Sequence, residues 1–233
     1  MQILESIKLF LSKQKLKKYF KASDIESIID ATKTYVGHGV YDRIAMSQKR
    51  SEIINLAEAV KEINPKIIVE IGTRKGGTLF TWCRFTDAQI VVSVDLPGGI
   101  HGGGYPEMKQ KLYKYFLSDN PKRKMFLIQG DSHENATLEK IKTALLGNKI
   151  DFLFIDGDHT YSGVKQDFEM YAPLVRKNGI IAFHDIVTNT TNHEDAETIE
   201  VPIFWNEIKN SFKYKEFIDS PNQGNMGIGI IYK

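Results

Sequence analysis

From Pro65 onward, short apolar segments alternate with segments of helical periodicity, and this alternation constrains the fold more than any other feature of the sequence. Five such strands are predicted, at Lys66–Ile71, Ile90–Asp95, Met125–Gln129, Asp151–Ile155 and Ile180–His184. Nearly all-apolar strands that alternate with helices are typical of a parallel sheet covered on both faces. The sequence therefore predicts an α/β architecture.

The segments between and after these strands complete the predicted topology. Helices are predicted near Gly77–Phe85, Pro106–Leu117, Glu134–Leu146, Tyr161–Val175 and Ile203–Ser211. Two further strands, Tyr214–Ile218 and Gly227–Tyr232, follow the last helix with no helix between them. Strands joined in this way form an antiparallel hairpin, so we expect seven strands, of which five are parallel and two form a terminal hairpin.

The first part of the chain has a different pattern. Apolar residues such as Ile3, Ile7 and Phe10 recur at helical spacing, and the helical pattern continues to about residue 63. We divide the chain into a helical N-terminal extension, residues 1–46, and an α/β domain, residues 47–233. The extension is a candidate contact for a homodimer.

Composition excludes several classes of protein. The net charge of +2 gives no general reason to expect a nucleic-acid or membrane partner. The apolar runs are too short to span a bilayer, and the N-terminal sequence lacks the pattern of a signal peptide. The single cysteine, Cys83, excludes an intramolecular disulfide, and we expect it to be a packed thiol. These features favour a cytoplasmic protein.

A glycine-containing turn follows the first strand, in the sequence Glu70-Ile71-Gly72-Thr73-Arg74-Lys75-Gly76-Gly77. Gly72 permits a sharp turn, and Gly76 lets the backbone approach a ligand. The segment lacks both the GxGxxG pattern of dinucleotide sites and the lysine of a P-loop. Because an acidic residue opens it, we expect residues 72–77, the glycine turn, to hold a nucleoside cofactor that carries a positive charge.

Two later strand ends carry further candidates for this cofactor site. Asp95 ends the second strand 23 residues after Gly72, where a carboxylate would accept both ribose hydroxyls. Asp131 and Ser132 follow the third strand, where they would either meet an adenine edge or cap the next helix.

The fourth and fifth strands end in acidic and imidazole groups. Asp156 follows the fourth strand, and His184 and Asp185 end the fifth. Neighbouring strand ends in a parallel sheet lie close together, so these groups could share one divalent cation. His159, three residues after Asp156, is the candidate general base. Each residue alone could be a helix cap or a core histidine; the four together favour a site.

Four other histidines lack such a context and are predicted to be surface residues: His38, His101, His133 and His193.

The sequence resembles the class I S-adenosylmethionine-dependent methyltransferases from about residue 47 to the end. The resemblance is carried by VEIGTRKGG at residues 69–77, VVSVDLPGG at 91–99, the Gly130-Asp131-Ser132 step and the seven-strand order. It implies a Rossmann-like fold and S-adenosylmethionine as cofactor. The implied cofactor-binding residues are Glu70, Gly72, Thr73, Gly76, Asp95, Asp131 and Ser132. The segment Met46-Ser47-Gln48 is expected to reach the methionine end of the cofactor.

Among these enzymes the chain resembles the metal-dependent O-methyltransferases, including those of macrolide sugars, and the cephalosporin-hydroxylase-like group. This implies Asp156, His184 and Asp185 as ligands of Mg²⁺ or Mn²⁺, and Asp156 with His159 as catalytic residues. An acidic residue is usual where this chain has His184, and imidazole there favours manganese or iron; it remains open that only the two aspartates ligate. The expected reaction is methylation of a small-molecule hydroxyl, for example of a sugar or glycosylated natural product. The alternatives are a hydroxylase-like or oxidoreductase activity and a non-catalytic cofactor-binding module.

Overall fold

The computed structural model describes residues 2–97, 104–190 and 199–233. Within them, seven strands form one sheet in the order β3-β2-β1-β4-β5-β7-β6. Strands β1 to β5 are parallel, and β7 lies antiparallel between β5 and β6. The predicted α/β architecture with a terminal hairpin is confirmed.

The strands and helices have the following bounds. The strands are β1 Ile67–Ile71, β2 Ile90–Asp95, β3 Lys124–Gln129, β4 Ile150–Ile155, β5 Val175–His184, β6 Lys213–Phe217 and β7 Ile228–Tyr232. The α-helices are α1 Gln2–Lys17, α2 Ile25–Thr34, α3 Arg50–Glu62, α4 Gly77–Phe85, α5 Gln110–Tyr113, α6 Asn135–Ala144, α7 Tyr161–Tyr171 and α8 Val201–Ile208.

Several predicted elements differ from the observed ones by a few residues at an end; the helix predicted to reach Val175, for example, ends at Tyr171. Two other elements differ more. The segment near 106–117 is not one α-helix, because 3₁₀ turns flank the four residues of α5. Strand β5 begins at Val175, five residues before the predicted start, and a register shift against β4 separates its two parts. In both places the local deviation from regular geometry interrupts the pattern that sequence periodicity detects.

Register brings the carboxyl ends of the central strands to one level. Ile71 of β1 pairs with Val94 of β2 and with Ile155 of β4, and Ile155 pairs with Phe183 of β5. The residue after each of these partners therefore lies at the same edge of the sheet. This alignment places the glycine turn, Asp95, Asp156 and His184 side by side, at the edge where ligands of such sheets bind.

The N-terminal helices pack into the same core as the sheet. Leu16, Ile28 and Ile29 are fully buried, in one cluster with residues of α4 and of the strands. Large apolar side chains on the outer face of α1 remain exposed, among them Ile3 and Phe10. The boundary at residue 46 and the homodimer contact stay predictions.

The predicted packing of Cys83 is confirmed, because the thiol is buried in the core. Of the four histidines predicted to lie on the surface, His101 and His193 fall outside the described residues. Among residues 2–97, 104–190 and 199–233, no helix has both the length and the apolar character needed to cross a membrane.

Candidate active site

The glycine turn has the backbone geometry that its glycines predict. Gly72 and Gly76 have φ values of +89° and +75°, in the left-handed region that favours glycine. A Cβ atom on Gly72 would collide with the backbone carbonyl of Asp156. One on Gly76 would lie 2.7 Å from the Tyr113 ring. Gly72 thus lets the β1 and β4 ends pack closely, whereas approach of a ligand to Gly76 stays a prediction.

Glu70 is a buried carboxylate directly beside the glycine turn. Its side chain is 0% exposed, and Oε2 accepts a 2.7 Å hydrogen bond from Trp82 Nε1. Within the described residues, Oε1 is buried with no hydrogen-bond partner. Burial raises the pKa of Glu70 to about 8, although the nearby Thr78 and Thr73 hydroxyls act in the opposite direction. A cationic ligand group at this position would stabilise the carboxylate form.

Asp95 connects the ends of β1 and β2. Its Oδ2 accepts hydrogen bonds from the backbone N–H groups of Thr73 and Arg74, and Oδ1 accepts one of 3.1 Å from Gly104. Burial raises the pKa of Asp95, while these backbone donors act to lower it. The carboxylate therefore orders the glycine turn itself, in addition to the ribose contact predicted for it.

The segment after β3 is fixed by side chains of α7. Asp131 Oδ1 accepts a 2.8 Å hydrogen bond from the His133 backbone N–H, and Ser132 is 9% exposed. His133 is not the simple surface residue that was predicted, because its Nε2 lies 3.4 Å from a carboxylate oxygen of Asp167, which is 0% exposed. This pair raises the pKa of His133 to about 9. Sequence periodicity gave no signal for a contact between residues 34 positions apart.

The three predicted metal ligands converge at the ends of β4 and β5. His184 Nδ1 lies 3.0 Å from Asp156 Oδ1 and 3.1 Å from Asp185 Oδ2. The side chains of Asp156, His184 and Asp185 are 15%, 4% and 7% exposed. Asp185 has a φ of +61°, a conformation that costs an aspartate energy and is often found at functional sites.

The 3.0 Å contact between His184 and Asp156 is a hydrogen bond, and its length also equals the spacing of two neighbouring ligands of one divalent cation. Two ligands about 2.1 Å from one ion and at right angles are about 3.0 Å apart, which matches the spacing of the nitrogen from both oxygens. One candidate ligand atom from each residue lies within 4.8 Å of the others. Two carboxylates with one imidazole are donors that manganese or iron accepts well.

His159 lies over this cluster, as predicted from its spacing. Its Nε2 is 3.7 Å from Asp156 Oδ1 and 3.7 Å from Asp185 Oδ2, and its side chain is 19% exposed. The ring nitrogen thus lies near both carboxylates, and part of the side chain is exposed to solvent. The backbone oxygen of His159 accepts a 2.7 Å hydrogen bond from Glu200, which holds the segment in place.

The charges of the cluster reinforce one another. Burial alone would raise the pKa of Asp156, but His184 and His159 outweigh it and lower that pKa. Burial alone would lower the pKa values of both histidines, but Asp156 and Asp185 outweigh it and raise them. The protonated form of each histidine is therefore more favourable here than in an isolated imidazole, because carboxylates face it.

One contact to this cluster was not predicted. Gln48 is 8% exposed, and its Nε2 donates a 2.7 Å hydrogen bond to Asp156 Oδ2. The sequence suggested that residues 46–48 reach the methionine end of a cofactor; the structure places Gln48 against a predicted metal ligand. The two residues are 108 positions apart, and no local pattern relates them.

Comparison with known proteins identifies the class. A family model described as a methyltransferase domain matches residues 69–186, just over half of the chain and all of the strand ends described above. The chain belongs to this methyltransferase family, with the Rossmann-like architecture of the class I S-adenosylmethionine-dependent enzymes.

Individual relatives are more distant. The chain is 34% identical over 117 residues to the uncharacterized protein R132 of Acanthamoeba polyphaga mimivirus; this alignment covers 50% of the chain and 50% of R132. The chain thus spans only half the length of that relative.

Solved structures share the fold at low identity. An O-methyltransferase from Bacillus cereus, in complex with SAH, has a TM-score of 0.55 and 17% identity, covering 95% of this chain and 96% of that one. The O-methyltransferase TomG from Streptomyces achromogenes, involved in tomaymycin synthesis and in complex with SAM, has a TM-score of 0.51 and 12% identity, covering 89% and 88%.

Proposed function

We propose that this protein is an S-adenosylmethionine-dependent O-methyltransferase that uses a divalent cation to methylate a hydroxyl group of a small molecule. The observation that carries the proposal is the arrangement at one sheet edge. A cluster of two carboxylates and two imidazoles lies directly beside the glycine turn of a methyltransferase fold.

The cofactor assignment is supported by unsatisfied and charged groups at the turn. Glu70 Oε1 is buried without a partner among the described residues, and a positively charged group of the methionine portion would supply one. Asp95 would then contact the ribose, and Asp131 and Ser132 would contact the adenine. Cofactors of both kinds, SAM and SAH, are bound in solved structures that share this fold.

The cation assignment is supported by the spacing and chemistry of its donors. Asp156, His184 and Asp185 would hold the ion, since their candidate ligand atoms lie within reach of one another. A divalent ion at such a site lowers the pKa of a bound hydroxyl and fixes its direction. We therefore expect a substrate with two neighbouring oxygen atoms, such as a sugar or a catechol-like phenol.

The chain's own catalytic group is His159. Methyl transfer forms an O–CH₃ bond, breaks the S–CH₃ bond with its electron pair left on sulfur, and releases the hydroxyl proton. His159 Nε2 lies 3.7 Å from a carboxylate oxygen of Asp156 and of Asp185, and would accept that proton. Such general-base catalysis contributes about 10²–10⁴-fold to a rate, and orientation of the reacting groups contributes about 7–11 kcal/mol at most.

The test is a pair of variants, His159→Ala and Asp156→Asn, assayed with SAM, Mn²⁺ and a panel of sugars and catechols. We expect wild-type protein to release SAH in the presence of an acceptor and to lose this activity on treatment with a chelator. Both variants should lose at least about 100-fold in turnover while binding SAH with wild-type affinity by calorimetry.

Three outcomes would contradict the proposal. Normal turnover by both variants would exclude the mechanism. Product formation without consumption of SAM would favour a hydroxylase-like or oxidoreductase activity instead. Wild-type protein that binds neither SAH nor a divalent cation would favour a non-catalytic module.

A further inference from the structure

We propose that Gln48 is a positioning residue of the cation site, which holds Asp156 so that only one of its carboxylate oxygens faces the ion. This inference rests on the proposed function. It adds a residue that lies outside the span matched by the methyltransferase family, residues 69–186.

The first argument is the division of the Asp156 carboxylate. Oδ2 accepts the 2.7 Å hydrogen bond from Gln48 Nε2, whereas Oδ1 is the oxygen that faces His184 and His159. An aspartate free to rotate can offer either oxygen or both. With Oδ2 occupied, the carboxylate presents Oδ1 in a fixed direction, which reduces the conformational freedom lost when an ion binds.

The second argument is that Gln48 itself is held rigidly. The preceding residues lie along the glycine turn: Ala45 forms a parallel bridge with Gly76 and accepts a 3.0 Å hydrogen bond from Gly77 N. Ser47 Oγ accepts a 3.0 Å hydrogen bond from Arg74. Helix α3 begins two residues after Gln48. The backbone on both sides of Gln48 is thus held in place, and the side chain that it carries can orient the Asp156 carboxylate.

The third argument is the unsatisfied half of the same amide. Gln48 is only 8% exposed, and its Oε1 has no hydrogen-bond partner among the described residues. A buried acceptor without a donor costs about 1–3 kcal/mol. A residue chosen only for packing would not carry this cost, so the polar group points to a role at the site that it contacts.

The experiment compares Gln48→Met with Ser51→Ala in the otherwise intact chain. Methionine keeps the length and approximate volume of glutamine but cannot donate to Asp156. Ser51 lies in the same region, and its hydroxyl is hydrogen-bonded to the exposed Asp219 rather than to a residue of the cluster. Mn²⁺ affinity, SAH affinity and the free energy of unfolding are measured for both variants and the wild type.

We expect Gln48→Met to weaken Mn²⁺ binding about 10- to 100-fold, the usual effect of removing a partner of a metal ligand. Its SAH affinity and unfolding free energy should match those of Ser51→Ala. Wild-type Mn²⁺ affinity in Gln48→Met would overturn the inference and leave the proposed function standing. Wild-type protein that binds SAH but no Mn²⁺ would overturn both the inference and the cation half of the proposed function.

Discussion

The two halves of the candidate site are built by different means. At the ends of β4 and β5, charged side chains meet one another: Asp156, His159, His184 and Asp185 lie within 3.0–3.7 Å of their nearest partners in the cluster. At the ends of β1 and β2, a carboxylate meets the backbone instead. Asp95 accepts its hydrogen bonds from main-chain N–H groups of the glycine turn and of Gly104.

We call the β4 and β5 ends the cation half of the site, and the β1 and β2 ends the cofactor half. The difference between them determines how each half should respond to a substitution. The cation half depends on the identity of a few side chains and should lose one function when one of them changes. The cofactor half depends on backbone conformation, so a substitution there should act through the shape of the turn. Gly72 is the residue at which the two halves touch, since the Asp156 carbonyl occupies the space that a Gly72 side chain would need.

Gly72→Ala should therefore have the largest effect and remove the distinction between the halves. At a φ of +89°, a residue with a side chain is about 1–2 kcal/mol less stable than glycine. The new methyl group would also collide with the Asp156 backbone. We expect the unfolding free energy to fall by about 3 kcal/mol or more, measured by chemical denaturation.

In protein that still folds, SAH and Mn²⁺ affinities should fall together. Gly147→Ala is the control, because Gly147 also has a positive φ, of +80°, but has open space around the added methyl. Equal stability of the two variants would show that the contact with Asp156 is unimportant.

Asp95→Asn should separate the halves. The amide keeps the shape of the side chain but removes the charge that accepts the Thr73, Arg74 and Gly104 N–H bonds. Hydrogen bonds to a charged group contribute about 1.5–3 kcal/mol, so we expect SAH affinity to fall about 10- to 100-fold by calorimetry. Mn²⁺ affinity measured without SAH should stay within about twofold of wild type. A parallel loss of Mn²⁺ binding would contradict the division of the site.

A smaller effect should follow from the pKa of Glu70. Burial raises this pKa to about 8, so below pH 8 the free protein holds a proton on Glu70. If the cofactor's ammonium group favours the carboxylate, binding must release that proton, and affinity rises with pH until about 8. We expect SAH to bind about 15-fold more tightly at pH 8 than at pH 6.5. Glu70→Gln should remove this dependence; a flat profile in wild type would exclude the contact.

The sequence allowed the framework and the side-chain half of the site to be predicted. Apolar strands such as Ile150–Ile155 are recognisable from their composition, and parallel strands necessarily end at one edge. The convergence of Asp156 with His184 and Asp185 follows from this topology, because the polar residue after each strand is visible in the sequence. Their roles as ligands, and that of His159 as base, stay predictions.

What could not be predicted are contacts that depend on how distant segments pack. The Gln48 hydrogen bond to Asp156 joins residues 108 positions apart, and Tyr113 packs on Gly76 from a segment that is only partly α-helical. Likewise, His133 lies in the segment after β3 and contacts Asp167 of α7, which belongs to a different element. Periodicity within one element carries no information about which side chain of another element will lie opposite.

The bond between Trp82 and Glu70 gives the cofactor half an optical reporter. Trp82 is one of two tryptophans in the chain, is fully buried, and donates its indole N–H directly to the carboxylate beside the glycine turn. The wavelength of maximum fluorescence emission of an indole depends on the charge next to it. Tryptophan fluorescence can therefore follow ionisation of Glu70 and occupancy of the turn in unlabelled protein.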